Sequence, residues 1–259
     1  MLIDSHCHLD LAPLVDDLAG VIDRAKQVGI GRFVVPAVSA AHWQPLLALA
    51  EQYEEIYVAL GLHPYFQNQH KENHLTELDE LLSQGHPKLV AVGECGLDWV
   101  IEDADKPKQL ALLKAQLELA NRHALPVVLH VRKAHPELLA LLKTHSPHYG
   151  AMVHGFSGSE QLAWDYVRQG CMLGVGGTIT YARAAKTRQA IAAIPLEHLL
   201  LETDSPDMPL HGFQGQANEP ARLPLIAEVL AELKQVAVET VTADTADNAY
   251  RLFGFAEAE

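Results

Sequence analysis

Two histidines spaced i, i+2 stand near the amino terminus, in Ile3-Asp4-Ser5-His6-Cys7-His8-Leu9. On an extended strand side chains alternate faces, so His6 and His8 point one way and Cys7 the other. Two imidazoles on one face at a strand end can share one metal ion. Matching donors recur along the chain, each after an apolar run: His63 in GLHP, Glu94 in VGE, His130 in PVVLH, His154 in MVHG, and Glu202 and Asp204 in LLLETD. Imidazole with carboxylate suits zinc, manganese or another divalent ion that tolerates nitrogen and oxygen better than calcium, because imidazole is a poor ligand for hard cations; magnesium stays a candidate beside zinc and manganese. Four histidines (His6, His8, His130, His154) with Glu94 and Asp204 exceed the three or four protein ligands of a single zinc site. They suit two divalent ions about 3.5–4 Å apart that share a carboxylate, a pairing that activates water for hydrolysis.

Such donors need a frame that gathers strand ends. Strand-like runs are read at 3–9, 32–38, 56–62, 89–93, 126–131, 151–154, 172–175 and 199–202. Between them lie helical patterns at 14–28, 41–53, 75–83, 109–123, 136–144, 159–169 and 187–193, with 224–234 and 241–252 closing the chain. Most runs are continuously apolar, as expected when both faces of a parallel sheet are covered. Eight such units predict an α/β fold, a (β/α)8 TIM barrel, with residues 1–259 as a single domain and chemistry at the carboxyl ends of the strands.

The 259 residues are 49% hydrophobic, enough for a large core, and no apolar run reaches the roughly 20 residues of a membrane span. The opening MLIDSHCHLD lacks the basic and apolar regions of a secretory signal. Three distant cysteines (Cys7, Cys95, Cys171) point to thiols in a reducing cytoplasm rather than a disulfide framework. A formal net charge of −14 argues against broad capture of nucleic acid or anionic membrane, while leaving room for a small site whose sign is set by bound cations. No protein partner is implied.

The motifs IDSHCHL, GLHP, VGECGLD, LPVVLH, HGFSGS, GVGGTIT and LLLETDSP followed by NEP run in order from Ile3 to Pro220. Together they resemble the TatD family of metal-dependent hydrolases, within the amidohydrolase-like barrels. The resemblance implies one ion on His6, His8, Glu94 and Asp204, and a second on Glu94, His130 and His154. It also implies phosphodiester hydrolysis, in some members 3′→5′ removal of nucleotides from DNA ends, with Asp204 and Glu94 as the catalytic carboxylates. The segment SPDMPLHGFQGQANEP after Asp204 departs from the family, since it holds no lysine or arginine where nuclease-like members often do. That argues against a long nucleic-acid substrate and leaves room for a smaller phosphoester.

The remaining candidates each carry two readings. His63 is a donor to a substrate phosphate or a structural hydrogen bond. Arg132, Lys133, Lys186 and Arg188 clamp phosphate or are solvated charges. Asp4 orients a ligand imidazole or is a satisfied core carboxylate. Glu202 shares Asp204's face, with structural and catalytic roles both open. Cys7 and Cys95, on the opposite face, are read as packing. His42, His70, His74, His86, His123, His145, His148 and His211 fall in helices or loops and are read as structural. Two rivals stand beside the phosphodiesterase: an amidohydrolase on the same metals, and a metal-binding interaction protein without catalysis.

Overall fold

The computed structural model describes residues 1–255. Eight strands alternate with helices and form one sheet in the order β1 to β8, the architecture of a (β/α)8 barrel. The strands are β1 (Leu2–Asp4), β2 (Ile30–Pro36), β3 (Ile56–Leu60), β4 (Leu89–Asp98), β5 (Val127–Arg132), β6 (Ala151–Val153), β7 (Cys171–Val175) and β8 (Leu199–Leu201). The helices are α1 (Leu18–Gln27), α2 (Trp43–Gln52), α3 (His74–Ser83), α4 (Lys106–Arg122), α5 (His135–Thr144), α6 (Glu160–Val167), α7 (Ala185–Ala193), α8 (Leu223–Lys234) and α9 (Val238–Phe253). The last four residues of the domain expected over 1–259 lie outside the described residues. Two compact units divide the chain: Met1–Val35, His154–Arg168 and Met172–Arg251 in one, and Pro36–Val153, Gln169–Cys171 and 252–255 in the other.

In the first unit β1 pairs in parallel with β2, and β7 with β8. The Ser5 N–H donates to the Leu201 carbonyl at 3.0 Å, joining the chain just past β1 to β8. Helix α6 begins under Ser159, whose hydroxyl accepts from the Leu162 N–H and satisfies a donor the helix cannot.

In the second unit β3, β4, β5 and β6 pair in parallel, in that order. All five residues of β3 and all ten of β4 are buried, and β3 and the first half of β4 are accordingly apolar without alternation, while Glu94 and Asp98 are buried carboxylates in the second half of β4. Asp105 caps α4 by accepting from the Lys108 N–H. Two buried glutamines seven residues apart, Gln109 and Gln116, share a face of α4. Gln116 accepts from the Leu62 N–H at 2.7 Å and donates to the Leu62 carbonyl at 3.3 Å. Gln109 does the same to Asp98, at 2.8 and 3.1 Å. One helix thereby fixes the backbone at two strand ends.

Element bounds differ from the sequence reading in an instructive way. Strands β1, β6 and β8 stop at three residues each, so His6, His8, His154, Glu202 and Asp204 lie in the turns beyond the ladder. Strand β4 instead runs to Asp98, five residues past the expected end at 93. Its glycines permit this, because a Cβ on Gly96 would lie 1.9 Å from the His130 carbonyl oxygen. Only a bare backbone can lie this close to β5.

Candidate metal centre

In the first unit Asp4 organises the turn after β8. Its Oδ2 accepts from the Thr203 hydroxyl at 2.6 Å and its Oδ1 from the Thr203 N–H at 3.0 Å. Asp4 is thus a satisfied carboxylate that positions the residues on either side of Thr203. Asn218 of the NEP motif donates to the Thr203 carbonyl at 2.9 Å. Between these ties Asp204 takes φ +53° and donates its N–H to the His6 carbonyl at 2.9 Å. A left-handed non-glycine residue costs on the order of 1–3 kcal/mol and persists where its surroundings over-determine it.

The outcome is a carboxylate among imidazoles. Asp204 Oδ1 lies 3.3 Å from His6 Nε2, 3.7 Å from His8 Nε2 and 3.9 Å from His154 Nδ1. Two ligands each about 2.0–2.2 Å from one zinc ion stand at most about 4.4 Å apart, so each pair can share a cation. The His6 and His154 rings stack with centroids 4.0 Å apart. Glu202 joins these two histidines, with ligand atoms of all three within 4.8 Å of one another. Its Oε1 accepts from the Gly155 N–H, while Oε2 is buried with no hydrogen-bond partner among the described residues. A buried carboxylate oxygen left so is costly, and a cation would compensate it. Burial pushes the Glu202 carboxyl up to about 8. Burial opposes charge on Asp204 too, but His6, His154 and His8 hold its carboxyl below the usual range.

The second unit builds its cluster on a strand. Glu94, Gly96 and Asp98 share one face of β4 by the two-residue period. His130 on β5 bonds two of them, with Nδ1 3.0 Å from Glu94 Oε1 and Nε2 3.1 Å from Asp98 Oδ2. His63 Nε2 lies 2.9 Å from the same Glu94 oxygen. The His63 Nδ1 accepts from the Tyr65 N–H at 3.0 Å, which assigns the ring proton to Nε2 and makes His63 a donor toward Glu94. Burial opposes charge on His130, yet Asp98 and Glu94 at its two nitrogens raise it to about 9. Burial likewise works against the Asp98 carboxylate, and His130, the Val100 N–H and Arg132 hold it below its usual range.

A family model described as TatD related DNase matches residues 3–254. The chain belongs to the TatD family. It is 47% identical to an uncharacterized metal-dependent hydrolase of Escherichia coli (strain K12), YjjV, over 97% of each chain. The crystal structure of that TatD homologue superposes with a TM-score of 0.96 at 46% identity, covering 98% of both chains. A 3′-5′ ssDNA/RNA exonuclease TatD of Edwardsiella piscicida is 32% identical over 98% of this chain and 100% of its own. A metal-dependent hydrolase of this family accounts for two groups of buried His and carboxylate donors. No helix among the described residues is long and apolar enough to cross a membrane.

Against that family background the other residues sort themselves. Arg132 is half-exposed at the end of β5, with one guanidinium nitrogen 3.5 Å from Asp98. Arg188, on α7, donates to the Ile179 carbonyl, a tie that serves the fold. His70 is buried and bonded at 2.7 Å to the His63 carbonyl. Cys7 and Cys95 turn their sulfurs to the carbonyls of Val34 and Val128, at 4.0 and 3.8 Å. Burial pushes both thiols well above their usual range, and Cys171 up to about 12, so none is a ready nucleophile. Sequence reasoning missed Asp98, although its spacing of four from Glu94 on one strand face was a signal. It also missed Gln109 and Gln116, whose polarity on the buried face of a helix could have marked them.

Proposed function

We propose that the chain is a phosphodiesterase that shortens single-stranded nucleic acid from its 3′ end, using two divalent ions. The observation that carries this is Asp204, with three imidazole nitrogens within 3.9 Å, in a family whose relatives include a 3′-5′ ssDNA/RNA exonuclease. The six ligands are His6, His8, Glu94, His130, His154 and Asp204. His6, His8 and Asp204 would hold one ion and Glu94 and His130 a second, with zinc, manganese or magnesium as the metal. Bound divalent ions acidify a water and offset charge on the phosphoryl oxygens. Asp204, whose carboxylate is held charged, would accept the proton of the attacking water. Asp98 holds the Nε2 proton of His130 and so presents Nδ1 as the ligand nitrogen. His63 keeps its proton on Nε2, available to Glu94 or to a phosphoryl oxygen. With every nearby thiol protonated, hydrolysis proceeds without a covalent intermediate. The setting is the cytoplasm, the working unit is the whole chain as one domain, and neither a membrane nor an obligate protein partner is needed.

The test is metal-reconstituted protein offered short single-stranded DNA and RNA, long duplex, methyl p-nitrophenyl phosphate and a panel of amides. Single strands should be cut from the 3′ end and preferred over duplex. The log–log salt dependence should be shallow, about −1.4 to −2.1 for two or three phosphate contacts at about 0.7 each. Brisk turnover of the small diester without strand cleavage would select the small-phosphoester reading left open by the loop after Asp204, which holds no lysine or arginine. Amide turnover alone would select an amidohydrolase.

A further inference from the structure

A cleft of about 260 Å³ opens in the first unit between the turn after β7 and the loop after β8, lined by Thr178, Tyr181, Arg183, Ala184, Met208 and Pro209. Its walls are tied together. The Tyr181 hydroxyl donates to the Pro209 carbonyl at 2.7 Å, and the Thr180 hydroxyl oxygen accepts from the His211 N–H at 2.8 Å. The Arg183 guanidinium lies over the Tyr181 ring, 4.8 Å from its centroid, and has no ion pair among the described residues. Met208 holds a left-handed φ of +50°, another strained non-glycine position.

The cleft adjoins the first donor group. A Cβ on Gly155, the residue after His154, would meet the Met208 sulfur at 3.7 Å, and one on Gly176 would meet Glu202 Cγ at 3.4 Å. Charge favours this side as well. Residues 166–196 contain no Asp or Glu, while Arg168, Arg183, Lys186 and Arg188 fall within them, in a chain of net charge −14. Of these, Arg168 pairs with Asp165 and Arg188 donates to the Ile179 carbonyl, while Arg183 lines the cleft.

We infer that this cleft binds the nucleotide flanking the scissile phosphodiester, with Arg183 on its phosphate and its base against Tyr181 and Met208. Three observations support it: a guanidinium held on an aromatic ring, a small cleft whose lining includes Ala184, Met208 and Pro209, and a Met208 sulfur beside Gly155, the residue after His154. A guanidinium offers forked donors to phosphate, and aromatic platforms take any base, so the subsite would be sequence-tolerant. The inference rests on the single-strand reading above and names how that substrate is gripped.

The experiment compares wild type, Arg183→Gln and Tyr181→Ala, all metal-loaded, on a single-stranded tetranucleotide and on methyl p-nitrophenyl phosphate, which has no flanking nucleotide. Arg183→Gln should raise KM for the tetranucleotide about tenfold with kcat within about twofold, and make the salt slope shallower by about 0.7, one phosphate contact. KM for the small diester should not move. Tyr181→Ala should raise the tetranucleotide KM with the salt slope unchanged. Unaltered tetranucleotide KM in Arg183→Gln, or equal losses on both substrates, overturns the subsite while leaving strand cleavage standing. If wild type turns over the small diester and no oligonucleotide, the single-strand reading fails and the subsite fails with it.

Discussion

The two donor groups present the same residue types in opposite internal states. In the first, Asp204 sits 3.3 to 3.9 Å from three imidazoles, and Glu202 keeps a buried oxygen with no hydrogen-bond partner among the described residues. In the second, His130 Nδ1 and His63 Nε2 lie 3.0 and 2.9 Å from one buried Glu94 oxygen, and His130 Nε2 is hydrogen-bonded to Asp98 at 3.1 Å. The first group stands on turns beyond three-residue strands, held by Asp4, Thr203 and Asn218. The second stands on ten-residue β4 and on β5, braced by glutamines of α4. A carboxylate already charged among spaced imidazoles receives a cation directly. A hydrogen-bonded His–carboxylate chain receives one only when a proton leaves.

The sharpest break in this comparison is removal of the ions or the base. Chelation should abolish turnover, and Asp204→Asn should lower kcat by about 10²–10⁴-fold, the range for losing a general base. Elemental analysis should find close to two ions per chain in wild type, and near one in both His6→Ala and His130→Ala. Two tightly held ions in both variants would mean the donor groups are misassigned.

Next in size is Asp98→Ala, which removes the carboxylate that accepts the His130 Nε2 proton. Metal affinity at the second group should fall about 10–100-fold, with the first ion unaffected. Titration calorimetry that shows equal weakening of both ions would make Asp98 a residue of general stability instead.

The third prediction concerns protons. His130, raised to about 9 by Asp98 and Glu94 against the pull of burial, is protonated at neutral pH in the metal-free protein. Binding at the second group must therefore expel that proton, and affinity there should rise about tenfold per pH unit from pH 7 to 9, then level off. The Asp204 carboxylate, held below its usual range, is charged throughout that window. Calorimetry in buffers of different ionisation enthalpy should show proton release for the second ion and less for the first. Identical release for both would erase the distinction.

The smallest effects are in the sulfurs behind each group. Cys7→Ala and Cys95→Ala remove small buried side chains that face carbonyls of neighbouring strands, and each should cost about 1 kcal/mol of stability. Metal content and turnover should stay near wild type. Loss of metal from a folded Cys95→Ala protein would place that thiol on the donor face.

What the sequence determined by itself was the order of parts and the kinds of donor. Apolar runs alternating with helical periods specify a covered parallel sheet, because burial on both faces removes the polar alternation. His6, His8, Glu94, His130, His154 and Asp204 stand out because a ligand-type side chain directly after a buried strand has no bland place in that pattern. Tertiary structure decided how those donors are held. Where the ladder stops is set by backbone partners far away in the chain: Asp4 on Thr203, Gln109 on Asp98, and the bare backbone of Gly96 against His130. That is why β8 ends before Glu202 while β4 runs on to Asp98, and why spacing and polarity mark Asp98 and the glutamines of α4 without assigning their partners. Period and composition are local properties of the chain. Which carboxylate faces an imidazole at 3 Å and which keeps a bare oxygen depends on contacts between residues as much as 199 positions apart.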